Sequence, residues 1–384
     1  MNAERSELTV EYRGYILRKV AFIAVALLVI IVVSGAALTI GGRDIGFGEA
    51  YEIIIRHISG NIPEQGTEAF YDDYAVWNVR LPRVIVGIIA GAGLAVGGAA
   101  MQSAVKNPLA DPYTTGISSG AVFGVSIGIV LGFSLTTSIG MYGLVLNAFV
   151  FGIIPALVIV VISRLTRTSP ATLILVGVAM SYLFNSASTL LLVGTSAEKL
   201  QDAYLWQIGT LENVTWDYVP IMLIVTVIGT AVLIAAASKI NLLTAGDESA
   251  KSLGIDPEMF RTAVIVVLSL MTAVIVGFLG IIGFVGLVSP HIVRTIIGAD
   301  NRYVIPGSAV FGAAFLLIGD LIARTIIYPG SLPVGVVMSF VGAPIFLYLV
   351  VRARREMWRC RRIYSQTESH SSRHTRDTLS GKSC

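Results

Sequence analysis

Residues 112–163 read PYTTGISSGAVFGVSIGIVLGFSLTTSIGMYGLVLNAFVFGIIPALVIVVIS, 52 positions without an Asp, Glu, Lys or Arg. A helix needs about 20 apolar residues to cross the hydrocarbon core, so this one window holds two crossings, and it breaks between Gly132 and Gly140. Outward from it, further charge-free windows cover residues 20–42, 84–105, 168–197, 218–238, 262–293, 303–319 and 325–351. The 262–293 window is also long enough for two crossings and breaks between Gly280 and Gly286. Ten transmembrane helices follow, an all-α polytopic membrane domain over residues 1–363. Residues 364–384 carry Ser, Thr, Arg and His without apolar periodicity and read as a disordered tail. Of the 384 residues 55% are hydrophobic and only 13% charged, against roughly a quarter charged in soluble domains, which excludes a conventional soluble enzyme.

An even number of crossings puts both termini on one side, and the Lys/Arg bias selects the cytoplasm. Oriented so, 21 of the 27 Lys and Arg are cytoplasmic. Only Arg43, Arg56, Arg80, Arg83, Lys199 and Arg324 lie outside, beside twelve acidic residues, so the formal +3 divides into +9 inside and −6 outside. The first apolar segment is 23 charge-free residues long and lacks a convincing cleavage site, so it reads as a retained helix and not as a signal peptide. Both cysteines, Cys360 and Cys384, fall in the cytoplasmic tail, where neither a disulfide nor a metal site is expected. The basic run from Arg352 to Arg362 reads as a topology anchor at the lipid surface, with no nucleic-acid role.

Gly116, Gly120, Gly124, Gly128 and Gly132 recur at every fourth position, a stripe that lets a neighbouring backbone approach closely. Gly87 with Gly91, and Gly93 with Gly97, repeat the device one helix earlier. Ion-coupled transporters carry ionisable side chains near mid-membrane, and the span centres here have none. Asp320 and Arg324, four apart near the outer end of the ninth helix, can pair on one face. His291 follows Pro290 near a span end and reads as a hydrogen-bonded structural histidine.

On the cytoplasmic side, residues 243–256 carry a candidate short helix. Thr244 three residues before Asp247 resembles a capping box, and Gly254 suits a helix end. Ala250 and Leu253 would give the helix a small apolar face. It either lies against the membrane or is offered to a groove in another protein. At the outer interface Arg80 and Arg83 stand on the side that the positive-inside bias disfavours. They read either as anchors on lipid phosphate or as rigid forks for carboxylates of a partner. There is no Gly-x-x-x-x-Gly-Lys-Ser/Thr loop, His-Glu-x-x-His or Gly-x-Ser-x-Gly, so no ATP site of that kind, metal centre, cofactor site or catalytic residue is expected.

Three stretches together resemble the permease subunits of type II ABC importers, the family for iron-siderophore, haem and cobalamin uptake. The first runs from Arg80-Leu81-Pro82-Arg83 through Met101-Gln102 to Asn107-Pro108-Leu109-Ala110-Asp111-Pro112 and Ser119-Gly120-Ala121. The second is Gly246, Asp247, Glu248, Ala250, Leu253 and Gly254. The third is Gly283-Phe284-Val285-Gly286-Leu287-Val288-Ser289-Pro290-His291, then Leu332-Pro333-Val334-Gly335 and Gly342-Ala343-Pro344. The resemblance implies that family's fold, a homodimer with the pathway between the subunits, two cytoplasmic ATP-binding subunits on the coupling helix, and an external substrate-binding protein. It implies that Arg80, Arg83 and Arg324 receive acidic residues of the binding protein, and that Asn107, Thr168 and Ser169 belong to cytoplasmic gates. The implied function is ATP-driven import across the cell membrane of a metal chelate, a ferric siderophore first, cobalamin or haem as alternatives. The competing classes are a secondary transporter driven by an ion gradient and a non-transporting membrane receptor.

Overall fold

A computed structural model of the chain describes residues 2–135, 141–165, 169–327, 330–349 and 351. The tail from residue 352, with both cysteines and the expected domain end at 363, lies outside the described residues. The chain divides into two units, Met1–Ser339 and Phe340–Cys384. The first opens with α1 (Asn2–Thr39), α2 (Phe47–Ile58), α3 (Glu68–Tyr74), a π-helical turn at Ala75–Arg80, and α4 (Leu81–Ala104). A 3-10 turn at Pro112–Thr115 leads into α5 (Ile117–Leu131), α6 (Met141–Leu165), α7 (Pro170–Leu192) and α8 (Ala197–Gln207). Then come α9 (Tyr218–Ala245), α10 (Asp247–Ser252), α11 (Pro257–Leu279), α12 (Val285–Ile297) and α13 (Asn301–Thr325). A further helix, α14 (Val334–Leu349), begins in the first unit, and its residues from Phe340 belong to the second. Among the described residues there is no strand, only an isolated bridge between Ile208 and Ile281.

An apolar helix forms in each of the ten expected places among the described residues. Seven helical segments, containing α1, α4, α6, α7, α9, α11 and α13, are long and apolar enough to cross a membrane, and α5, α12 and α14 are shorter apolar helices. The two long windows break where expected, after Leu131 and between Leu279 and Val285. The 15 residues of α5 and 13 of α12 rise only about 20 Å, short of a hydrocarbon core of about 30 Å. The glycines explain how α12 can be short. A Cβ on Gly98, in the last third of α4, would lie 1.8 Å from the Gly286 carbonyl oxygen, so α12 starts deep beside α4.

The irregular backbone before α12 is tolerable inside a membrane only because protein surrounds and satisfies it. Gly209 and Thr210 donate to the carbonyls of Ile281 and Leu279 at 3.1 and 2.9 Å, and Ile281 donates to Gln207 at 3.3 Å. The Tyr113 hydroxyl donates to Ile282 O at 3.1 Å. α4 is buried over nearly its whole length, with α9, α11, α12 and α13 packed around it. It meets α13 backbone to backbone, a Cβ on Gly91 falling 2.4 Å from Gly312 O. On α5, Gly120 and Gly124 likewise face the α6 carbonyls of Phe151 and Asn147, each 2.4 Å from an added Cβ. Gly120, Gly124 and Gly128 of the stripe therefore pack α5 against α6, whereas Gly116 precedes the helix and faces Gly177 of α7, and Gly132 ends it with nothing within 4 Å. Leu175, Tyr182, Leu183 and Leu190 of α7 and Ile224, Val227 and Ile228 of α9 are exposed, as on helices that face lipid or another apolar surface.

Long-range polar contacts gather at two opposite ends of the bundle. One end holds Arg43 with Glu68 and Asp72, Arg83 with Asp320, and Lys199 with Val130 O. The other holds Lys106 and Arg261 with Asp247, Asn241 with Asp300, and Arg294 with Gln102. This segregation is the one that alternating crossings require.

Candidate functional site

At the first end the helix that becomes α4 is interrupted by the π-turn, in which Leu81 N–H reaches back to Val76 O. The extra residue in that turn shifts the register just before Arg80, which leaves Arg80 and Arg83 free to reach different neighbours. Arg80 donates through Nη1 to Leu38 O and Thr39 O at 2.7 and 2.9 Å, and through Nη2 to Arg43 O at 2.7 Å. It thereby caps carbonyls at the end of α1 that have no partner within the helix. Arg83 closes on Asp320 with Nε and Nη2 at 3.0 and 2.7 Å from Oδ1. Arg324, one turn beyond Asp320 on α13, donates from Nε to Oδ2 at 2.9 Å and from Nη1 to Ala37 O at 3.1 Å. One fully buried carboxylate thus holds two guanidinium groups, and the expected Asp320–Arg324 pair is formed.

These side chains wall a pocket of about 320 Å³ together with Gly41, Arg43 and Glu212. Arg80, Arg83 and Arg324 are only 5%, 8% and 8% exposed. They are therefore not projecting forks, and an incoming group has to enter the pocket to meet them. Arg80, Arg83 and Arg324 face the Asp320 carboxylate behind them and Glu212 in the wall, which leaves one net positive charge, while Arg43 is already paired with Glu68 and Asp72. Beside the pocket wall, His57 stacks on Trp77 with centroids 4.0 Å apart, and its Nδ1 lies 2.7 Å from Asp73 Oδ2. Trp77 stands 5.1 Å from Trp216, whose Nε1 donates to Trp77 O at 2.8 Å.

At the opposite end the short helix forms, but not as the sequence suggests. α9 continues through Thr244, whose hydroxyl donates to Asn241 O at 2.7 Å, and Gly246 supplies the N-cap without a side chain. There is no capping box on Thr244, because the chain turns only at Gly246, where φ is +135°. The helix is Asp247–Ser252, shorter than the expected 243–256. Gly254 does end it, with φ +79°, Gly254 N donating to Lys251 O at 2.9 Å and Ile255 N to Ala250 O at 3.0 Å, the two bonds of a Schellman motif. Ala250 and Leu253 do not share a face: Ala250 is buried within the protein and Leu253 is 64% exposed, while Glu248 points outward.

Asp247 is the junction of this end. Its Oδ1 accepts Lys106 Nζ at 2.7 Å and Arg261 Nη2 at 2.8 Å. Desolvation pushes its carboxyl up, but the bonds from Lys106 and Arg261 outweigh that and hold it below the ordinary aspartate value. Asn107, beside Lys106, accepts Leu109 N–H on Oδ1 at 2.9 Å and donates its own N–H to Gln102 O at 3.0 Å, which makes a compact turn. Ser169 is the N-cap of α7, its Oγ accepting Thr172 N–H at 3.1 Å. Thr168 lies outside the described residues. The ring of His291 makes no hydrogen bond among the described residues, contrary to the expectation from sequence.

The sequence reading missed Lys106 and Arg261. Their common partner Asp247 lies 141 residues from one and 14 from the other, and no local spacing marks them. Among the described residues no group of three or more His, Cys, Asp or Glu could hold a metal.

The chain is a polytopic helical bundle with an arginine-lined pocket at one end and a short helix at the other, and the proteins it resembles are permease subunits of membrane transporters. The chain belongs to the FecCD transport family, which it matches over residues 24–352. It is 40% identical over 277 residues to the cobalamin import system permease protein of Halobacterium salinarum, covering 72% of this chain and 73% of that one. It is 36% identical over 283 residues to the hemin transport system permease protein of Yersinia pestis, covering 73% and 84%. A solved structure of a metal-chelate type ABC transporter in an inward-facing conformation superposes with a TM-score of 0.75 at 27% identity, covering 86% of this chain and 98% of that one.

Proposed function

We propose that the chain is the membrane-spanning subunit of an ATP-driven importer that carries a metal chelate across the cytoplasmic membrane, with both termini in the cytoplasm. Two copies enclose the pathway, cytoplasmic ATP-binding subunits engage α10, and an external binding protein that delivers the chelate docks through acidic residues on Arg80, Arg83 and Arg324. The observation that carries this reading is that the two ends differ in kind. The Arg80 end offers positive charge recessed in a pocket, suited to an acidic side chain that inserts. The α10 end offers a rigid short helix with Leu253 and Glu248 outward, in a region rich in Lys and Arg. The exposed apolar face of α7 supports a membrane-embedded partner surface, either lipid or a second copy.

The cargo follows from the family, since the span centres lack charged groups that would hold it. A ferric siderophore is the first reading, on motifs that cobalamin and haem permeases share. A corrin or porphyrin chelate is the second, favoured by the cobalamin and hemin permeases among the relatives. Uptake of radiolabelled ferric siderophore, cobalamin and haem into vesicles holding the whole complex decides among them. For docking, the Arg80→Glu, Arg83→Glu chain is expected to lose binding-protein stimulation of ATP hydrolysis while still assembling with the ATPase. Arg83→Lys keeps the charge without the fork and gives a milder second variant. Wild-type stimulation in both refutes the docking assignment.

A further inference from the structure

We propose that Lys106 is a positioning residue that links the short helix α10 to the Asn107 turn, so that a displacement of α10 is carried into that turn through the Lys106–Asp247–Arg261 cluster. The inference rests on the reading of α10 as the segment that engages the ATPase. It adds the physical connection from that helix to the gate.

Two routes join the end of α4 to the first residue of α10. Lys106 Nζ binds Asp247 Oδ1 directly at 2.7 Å. Arg261, fully buried on α11, spans the same gap: its Nε donates to Ala104 O at 2.8 Å and its Nη2 to the same Asp247 oxygen at 2.8 Å. Full burial and these two bonds leave this side chain little freedom to follow Asp247 by reorienting. Lys106 itself has φ +54°, a left-handed conformation that a non-glycine residue keeps only where its surroundings hold it. Asp247 is part of those surroundings.

The turn after Lys106 is closed on itself. Asn107 N–H reaches back to Gln102 O at 3.0 Å, Ala110 N–H closes on Asn107 O at 3.1 Å, and Asn107 Oδ1 takes Leu109 N–H. At the other end of the link, α10 is a compact unit fixed by its Schellman bonds and by buried Ala250. A stiff helix, a two-route ionic tie and a stiff turn form a contiguous path of the kind that carries coupling. An exposed ion pair would contribute little. The Lys106–Asp247 pair is itself exposed, with 31% and 36% of the side-chain surface open, and takes its stiffness from Arg261, which is fully buried and bonds the same Asp247 oxygen.

The test uses the full chain assembled with its ATP-binding subunit in nanodiscs. Cys360 and Cys384 are replaced by Ser, and half-exposed Leu109, in the turn, is replaced by Cys as the reporter. The rate of maleimide modification of this reporter is measured with and without ATP and vanadate, and ATP hydrolysis is measured in parallel. In the Lys106 background the rate is expected to change on ATP trapping. In Lys106→Gln the change is expected to shrink about fivefold or more, the lower range of allosteric couplings, while hydrolysis continues. Lys106→Arg, which keeps the cation, restores it. A Lys106→Gln chain with the full ATP-dependent change, or a Lys106→Arg chain that behaves like Lys106→Gln, overturns the proposal. No ATP-dependent change in the Lys106 background overturns the coupling reading of α10 as well, which separates the two failures.

Discussion

Replacing Asp320 by Asn tests the electrostatics of the arginine pocket. The Asp320 carboxylate is fully buried and accepts Arg83 and Arg324 at once, so it compensates two buried guanidiniums. Asn keeps one acceptor oxygen, loses the charge and turns an NH₂ group towards donors. Removing one partner of a buried ion pair costs about 3–5 kcal/mol, and here two cations lose their counter-ion together, which puts the cost near the upper value. Arg83→Met leaves Asp320 paired one-to-one with Arg324, so the Arg83 hydrogen bonds to Asp320, about 1.5–3 kcal/mol each, are lost together with their cation and no buried charge is left uncompensated, whereas Asp320→Asn strands two. The expected order of destabilisation is therefore Asp320→Asn above Arg83→Met, with Asp320→Glu between Asp320→Asn and the wild type. The assay is loss of monodisperse protein after graded heating in detergent, read by fluorescence-detected size exclusion. An Arg83→Met chain that is as labile as Asp320→Asn, or more so, refutes the assignment of Asp320 as shared counter-ion.

A Cβ on Gly98 needs about 1.6 Å of backbone displacement to reach ordinary contact with Gly286. Gly98→Ala should therefore lower the midpoint in the same heating assay by at least the 1–3 kcal/mol typical of overpacking, whereas Gly42→Ala, with nothing within 4 Å, leaves it unchanged. Ser169→Ala removes the α7 N-cap, at a cost of about 0.5–2 kcal/mol, which Ser169→Asp should largely recover. Asp300, the N-cap of α13, is held at about 2, chiefly by the Arg302 side chain, against desolvation and with help from Asn241. Its folded value is below its unfolded value of 3.8, so its contribution is complete above pH 3.8 and is lost as the pH falls towards 2. Asp300→Asn should flatten the pH dependence of stability across that interval.

The number of spans and the two breaks were legible because lipid excludes charge, and the charge-free windows are a direct imprint of that exclusion. The C-terminal signal at Gly254 was legible too, since a left-handed helix end selects glycine locally. Thr244 misled for a related reason: its spacing to Asp247 fits a cap, yet α9 runs on through Ala245, with Ile240 and Leu243 buried, and turns only at Gly246. The helices α2, α3 and α8 fall in polar segments of mixed charge, where no long apolar run announces them. Arg80, Arg83 and Arg324 could be picked out, but not their burial. That depends on the π-turn and on carbonyls of α1 some forty residues away in sequence from Arg80. The Lys106 tie belongs to the same class of fact, fixed by tertiary packing and not by local pattern.

The aromatic stack beside the arginine pocket makes the molecule its own optical probe. Of the four tryptophans, Trp77 and Trp216 belong to that stack, Trp206 ends α8 at the same end of the bundle, and Trp358 lies beyond the described residues. Emission from these three described tryptophans therefore samples the end where a binding protein would land, once Trp358 is replaced by Phe. A tryptophan-free binding protein, titrated against the permease in nanodiscs, could be followed from the first encounter without attaching a dye.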